Sequence, residues 1–241
     1  MTTAQTSQTT MTTLTVTDAF GVCFQDFGRI GFERYGIARN GAADLFSYRA
    51  ANILVGNPAG APVFEAIGNG FEFRLDGEAV FSVTGAEATV TVDGCGLVPQ
   101  WQPIRVPAGS RVAISAPQRG YRTYVALRGD LEVPRMFGSV SEISFWGQTS
   151  FATPGMAVPI RPADEPFHPE RADGDLLASL GDVAQNWLLE AAPALLVVPG
   201  PQERMFDHIE HLYTEQYRMN AHSESIGSRF TGRPPARIDR T

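Results

Sequence analysis

At 241 residues, 43% of them hydrophobic, the chain can bury a sizeable core, and its formal net charge of −7 gives no basic field for nucleic acid. Its 24 glycines and 17 prolines favour a turn-rich, mainly β architecture over a helical bundle. All 19 basic residues are arginines, which excludes a biotin-attachment lysine, a Schiff-base lysine and the GxxxxGK[ST] phosphate loop.

Residues 1–13 are rich in Thr, Gln and Ser, with no basic start and no apolar core, and read as a disordered tail rather than a secretion signal. No apolar run reaches the roughly 20 residues that a membrane helix needs, so the chain reads as cytoplasmic and off the membrane. Residues 14–20 form a first short strand and 22–24 a second. The stretch 25–40 is a glycine-studded loop. Residues 43–55 read as an amphipathic helix, with Leu45, Tyr48, Ala51, Asn52 and Val55 at helical spacing. Gly56-Asn57-Pro58 stops it. Short β-rich runs follow at 71–75, 79–85, 88–94 and 121–129, and 106–117 reads as a hairpin pivoting on Gly109.

The stretch 161–174 is Pro-rich and charged and reads as a linker or surface loop containing His168. Residues 175–190 fit either a helical turn or more loop. A buried strand is expected at 194–202, then an amphipathic helix over 205–217 with Met205, Phe206, Ile209, Leu212 and Tyr213 on its apolar face. His208 and His211 sit three apart on that helix, but no clustered Cys, third His or HExxH surrounds them, so no metal is expected. Cys23 and Cys95 read as free thiols of a reducing compartment. Cys23 lies just before Gln25, yet no histidine is near it in sequence to make it a nucleophile.

The densest concentration of chemistry is 25–65. Gln25, Asp26 and Arg29 are the candidate catalytic groups. Gly28, Asp44 and Asn52 are candidate substrate-binding positions in the same stretch, and Gln202, Ser223 and Arg229 are candidates further along. An arginine fork can hold a carboxylate or a urea-like carbonyl, a carboxylate can accept from an amide N–H, and a glutamine amide can do either. Glycines can bring backbone close to a ligand. Set against this is the plainer role for Asp26 and Arg29, pairing with each other or fastening the loop. Ser139 and Ser141, with no histidine near them, read as hydroxyls closing a turn rather than as part of a triad.

The stretch resembles the opening motif of a family known under three names: allophanate hydrolase subunit 2, the C-type subunit of 5-oxoprolinase, and biotin-dependent carboxyltransferase. That family runs QDxGRxGxxxxG, SGAxD, ANxLVGNP and then Glu. Gln25, Asp26, Gly28, Arg29, Gly31, Gly36, Gly41, Ala42, Asp44, Ala51, Asn52, Leu54, Val55, Gly56, Asn57, Pro58 and Glu65 match. Asn40 stands where Ser is usual and Ala43 where Met is frequent. Later matches are Gly138, Ser139 and Ser141, Gly-Pro-Gln ending at Gln202, and Ser223, Gly227, Arg229 and Gly232. Glu224 and Ser225 depart from the family's Asp and Arg.

The resemblance implies two cyclophilin-like β-barrel lobes with a few helices: a first lobe over 14–160, a linker over 161–193, and the start of a second, truncated lobe over 194–241. It implies an active site near the lobe junction and a partner protein of the family's other kind, subunit 1 or its B-type counterpart. The activity implied is ATP-dependent 5-oxoprolinase, cleaving the C–N bond of a small-molecule amide, with a lactam-utilisation protein as a further partner. Carboxyl transfer from carboxybiotin to urea or a related amide is the alternative, and a non-catalytic regulatory partner a third reading. ATP or carboxybiotin would come through partner chains, with no cofactor held covalently here. The truncated lobe is expected to be less stable than residues 14–130.

Overall fold

The computed structural model describes residues 11–143, 150–165, 167–168, 197–223, 229–233 and 236–237. The chain divides into two compact units, Met1–Glu190 and Ala191–Thr241.

The first unit is built from β1 (Thr12–Ala19), β2 (Val22–Gln25), α1 (Leu45–Leu54), β3 (Val63–Ile67), β4 (Phe71–Leu75), β5 (Ala79–Glu87), β6 (Val90–Val92), β7 (Gly96–Val98), β8 (Ile104–Val106), β9 (Arg111–Ile114), β10 (Arg119–Leu127), β11 (Asp130–Leu131) and β12 (Ala157–Arg161). One sheet runs β11-β12-β1-β4-β9-β6-β7, the other β2-β3-β10-β5-β8. Every pairing between these strands is antiparallel. Neither sheet closes on itself among the described residues. The architecture is therefore mainly β as expected, but of two open sheets over a shared core. That core draws Leu14, Phe73 and Val112 from one sheet and Phe24, Phe64, Phe81 and Val125 from the other.

Period-two alternation explains why the shorter sheet can be covered on both faces. On β10, Val125 and Leu127 enter the inter-sheet core, while Tyr124 and Ala126 face α1 with Val63 and Val80. Tyr48, Ala51 and Val55 close this second cluster. Polar bonds reinforce it: the Ser82 and Thr84 hydroxyls each donate 2.7 Å bonds to the carbonyls of Ala51 and Ser47. The helix is thus anchored to the sheet through its own backbone.

The expected helix over 43–55 forms as Leu45–Leu54, because Asp44 caps it: its carboxylate accepts from Phe46 N and Ser47 N at 3.0 and 3.1 Å. The expected hairpin over 106–117 does not form. Gly109 does turn the chain, with φ +83, but β8 joins β5 in one sheet and β9 joins β4 and β6 in the other. Alternation and a turn residue locate two strands; they do not say that the strands pair with each other.

The second unit contains β13 (Phe206–Asp207), α2 (His211–Thr214), β14 (Arg218–Met219), β15 (Phe230–Thr231) and β16 (Ala236–Arg237). β13 pairs with β16 and β14 with β15. The long helix expected over 205–217 is reduced to the four residues of α2, after a 3₁₀ turn at Glu203–Met205. The apolar spacing there is real, but Phe206, Leu212 and Tyr213 remain 39–56% exposed and so do not drive a helix to fold. The expected buried strand over 194–202 also fails where described: residues 197–200 have no strand and Val198 is 92% exposed. Most of the tail over 1–13, the segment 175–190, and Glu224, Ser225 and Gly227 lie outside the described residues. No described helix is long and apolar enough to cross a membrane.

Candidate functional site

The loop between β2 and α1 crosses itself, and two glycines make the crossing possible. Gly28 (φ +75) lies against the carbonyls of Arg39 and Asn40, and Gly41 (φ +98) lies against the backbone of residues 26–28. A side chain at either position would meet backbone that cannot yield. Arg29 N donates to Arg39 O at 2.8 Å, and Ala42 N to Asp26 O at 2.9 Å, which ties the two arms together. Gly31 and Gly36 have open space around them and serve only the local turns.

Within this crossing Asp26 is 4% exposed and Arg29 1% exposed. The Asp26 carboxylate accepts from Gly28 N at 2.8 Å, the Ser139 hydroxyl at 2.6 Å, the Ser141 hydroxyl at 3.1 Å and Val140 N at 2.9 Å. The Arg29 guanidinium donates to the carbonyls of Met136 at 3.1 Å, Glu142 at 3.4 Å and Ser141. Asn40 Nδ2 adds a bond to Glu142 O. Burial lowers the pKa of the Arg29 guanidinium, and the nearby Asp26 charge works against that shift. Ser139 and Ser141 are fully buried hydroxyls closing a turn, as read from sequence; their acceptor is Asp26.

A second polar cluster starts at Gln25 and follows the α1 face of the sheet. Glu65 pairs with Arg122 at 2.6 Å and accepts from Ala43 N at 3.1 Å. Tyr124 Oη accepts from Asp44 N at 2.8 Å. Burial, with Glu65 beside it, pushes the Tyr124 hydroxyl pKa well up. Gln25 Nε2 donates to Cys23 Sγ at 3.3 Å, while its buried Oε1 has no partner among the described residues. Burial and then the Glu65 charge push the Cys23 thiol up to about 12, so it stays protonated at neutral pH and is no nucleophile. Both cysteines are free. Glu65 was visible in the sequence as a motif position, but Arg122 and Tyr124 come from a strand that reads there as plain scaffold.

Other predicted residues have definite places. Asp44 is the helix cap, and its Oδ2 also accepts from the Ser47 hydroxyl. Asn52 is fully buried, donating to Ala61 O at 2.9 Å and accepting from Asn57 Nδ2 at 3.3 Å. Gln202, Ser223 and Arg229 belong to the second unit. Gln202 is exposed ahead of the 3₁₀ turn. Ser223 Oγ donates to Arg229 O at 3.2 Å and accepts from Arg229 N at 2.9 Å. A groove of about 620 Å³ bounded by Gly85, Glu87, Leu97 and Trp101 is lined by none of these predicted residues.

Residues 35–240 match the family model described as carboxyltransferase domain, subdomain A and B. The chain is 28% identical over 214 residues to the C-type subunit of 5-oxoprolinase from Escherichia coli, covering 86% of this chain and 64% of that protein. It is 37% identical over 118 residues to urea amidolyase of Saccharomyces cerevisiae, covering 48% of this chain and 6% of that protein. The chain therefore spans less than two thirds of the length of these relatives. Among solved structures, urea carboxylase of Kluyveromyces lactis matches with a TM-score of 0.74 at 23% identity, over 94% of this chain and 21% of that one, which establishes a shared fold.

Proposed function

The chain belongs to the carboxyltransferase domain family, subdomain A and B, and from that premise we propose that it acts as one component of a multi-protein 5-oxoprolinase, cleaving the C–N bond of a small cyclic amide. The observation that carries this reading is the extent of the match to the Escherichia coli 5-oxoprolinase component, 86% of this chain and 64% of that protein. The Saccharomyces cerevisiae urea amidolyase match takes in only 6% of a much longer chain.

In this proposal Asp26 and Arg29 are positioning residues. They hold 136–142 against the crossing of 26–41, and so fix the place of Gln25 at the end of β2. Gln25 meets the substrate amide. Its Oε1 is buried and has no partner among the described residues, so this half-buried side chain must turn before its amide carbonyl accepts the N–H of a lactam. Asp44, Glu65 and Tyr124 hold the start of α1 beside it. ATP would supply activation of the amide carbonyl and is bound by partner chains. Arg29 itself offers ATP no open fork, because its guanidinium already donates to backbone carbonyls. The partners are a B-type 5-oxoprolinase protein and a lactam-utilisation protein, and the free thiols fit a cytoplasmic setting.

Carboxyl transfer from carboxybiotin to urea or a related amide is the second reading, favoured by the description of the family model itself. With no lysine in the chain, biotin would be carried elsewhere. The test is co-expression with a B-type 5-oxoprolinase protein and a lactam-utilisation protein, followed by assay of the purified complex. Hydrolysis of ATP that depends on 5-oxoproline is the expected result. Failure of that assay, with biotin-dependent carboxylation of urea in its place, would give the second reading the role.

A further inference from the structure

We propose that His208, Glu210 and His211 form a binding site for a single divalent transition-metal ion of the zinc class. The sequence-based expectation of no metal rested on two histidines of a continuous helix with no further ligand beside them. The structure replaces that helix with a turn and adds Glu210 to the set. β13 ends at Asp207, and His208 takes a left-handed conformation, φ +58. The chain doubles back there, with His211 N donating to His208 O at 3.0 Å. The turn brings one ligand atom from each of the three residues within 4.8 Å of the others. The two imidazoles lie 5.2 Å apart at 16° to each other, and His208 Nδ1 is 3.3 Å from Glu210 Oε1.

His211 points most directly to a ligand. Its Nδ1 is buried and has no hydrogen-bond partner among the described residues. A buried ring nitrogen without a partner is costly, and a metal ion would give it one. Two neutral imidazoles and one carboxylate are the donor set that zinc, cobalt(II) and nickel(II) accept, whereas calcium and magnesium prefer all-oxygen shells. Metal–ligand distances of about 2.0–2.2 Å require the three donor atoms to draw closer than they now stand. The His208 and Glu210 side chains are 62% and 63% exposed, so both have room to turn toward His211, and the remaining positions are left to water.

The site is tested on the tag-free full chain, stripped with chelator and titrated with zinc chloride by calorimetry at neutral pH, with cobalt(II) absorption as a second readout. One ion per chain is expected. His208→Asn, which tolerates the left-handed backbone, and His211→Gln should each weaken binding by at least about tenfold. Circular dichroism shows whether each variant keeps its fold. A double variant of the chain's other histidines, His168→Gln with His222→Gln, should bind as the parent does. The proposal is overturned if the parent takes up no zinc or cobalt, if the His208 and His211 variants bind unchanged, or if the control double variant abolishes uptake.

Discussion

Asp26 and Arg29, three residues apart, grip one loop through opposite chemistry. The carboxylate collects hydrogens from Ser139, Val140 and Ser141, while the guanidinium gives hydrogens to the carbonyls of Met136, Ser141 and Glu142. Asp26→Asn presents an NH₂ to groups that are themselves donors. Breaking such a buried charged set costs on the order of 3 kcal/mol. At about 2–4 °C per kcal/mol for a domain of this size, the melting temperature should fall by roughly 10 °C. Arg29→Lys should fall by a similar amount, since one ammonium cannot span the three carbonyls. A melting temperature within about two degrees of the parent for both variants would mean that the clamp adds nothing to stability.

The loop crossing separates glycines that share a positive φ. Gly36→Ala has open space around it and should cost only the left-handed penalty, about 1–2 kcal/mol. Gly28→Ala adds overlap with the Arg39 and Asn40 carbonyls and should cost at least about 3 kcal/mol, or prevent folding. Urea unfolding of the two variants side by side measures the difference. Equal losses would show that the crossing is looser than described.

The buried thiol of Cys23 makes a pH prediction. Its folded pKa, about 12, lies above the value of 9.0 taken for an unperturbed thiol. Below that lower value both states keep the proton and the stability is fully present. Above it the unfolded chain loses a proton that the folded chain retains. Stability therefore falls as pH rises from about 9 to 12, by about 1.4 kcal/mol per pH unit from this group. Cys23→Ala removes that slope. Between pH 8 and pH 10 the parent should lose about 1.4 kcal/mol more than the variant. Parallel pH profiles in urea unfolding would contradict the burial of this thiol.

Gln25→Ala bears on the site itself. The side chain makes one bond to Cys23 and is half-buried, so its removal should move the melting temperature little. In the assembled enzyme kcat/KM should drop by about a hundredfold, roughly 2.7 kcal/mol of transition-state stabilisation. Turnover within a few-fold of the parent would remove Gln25 from the reaction and leave it a neighbour of the thiol.

The sequence by itself determined the family and the type of most elements in the first unit. Dense motifs such as Gln25–Asp26–Gly28–Arg29 and Asn52–Gly56–Asn57 carry that information locally, and so does the alternation of β-branched and aromatic residues in β5 and β10. The helix cap at Asp44 and the stop at Gly56 are likewise local chemistry. What only the tertiary structure decided is who meets whom. The clamp on Asp26 is made by residues more than a hundred positions away, and nothing local marks Ser139, Val140 and Ser141 as its donors. The strands either side of Gly109 go to different sheets, β8 beside β5 and β9 beside β4, and Ile104, Val106, Val112 and Ile114 meet in one core from both sides, a pairing that neither strand's own residues specify. The same limit explains the short α2: its apolar spacing is helical, but a helix forms where that face is buried, and burial is a property of the folded chain.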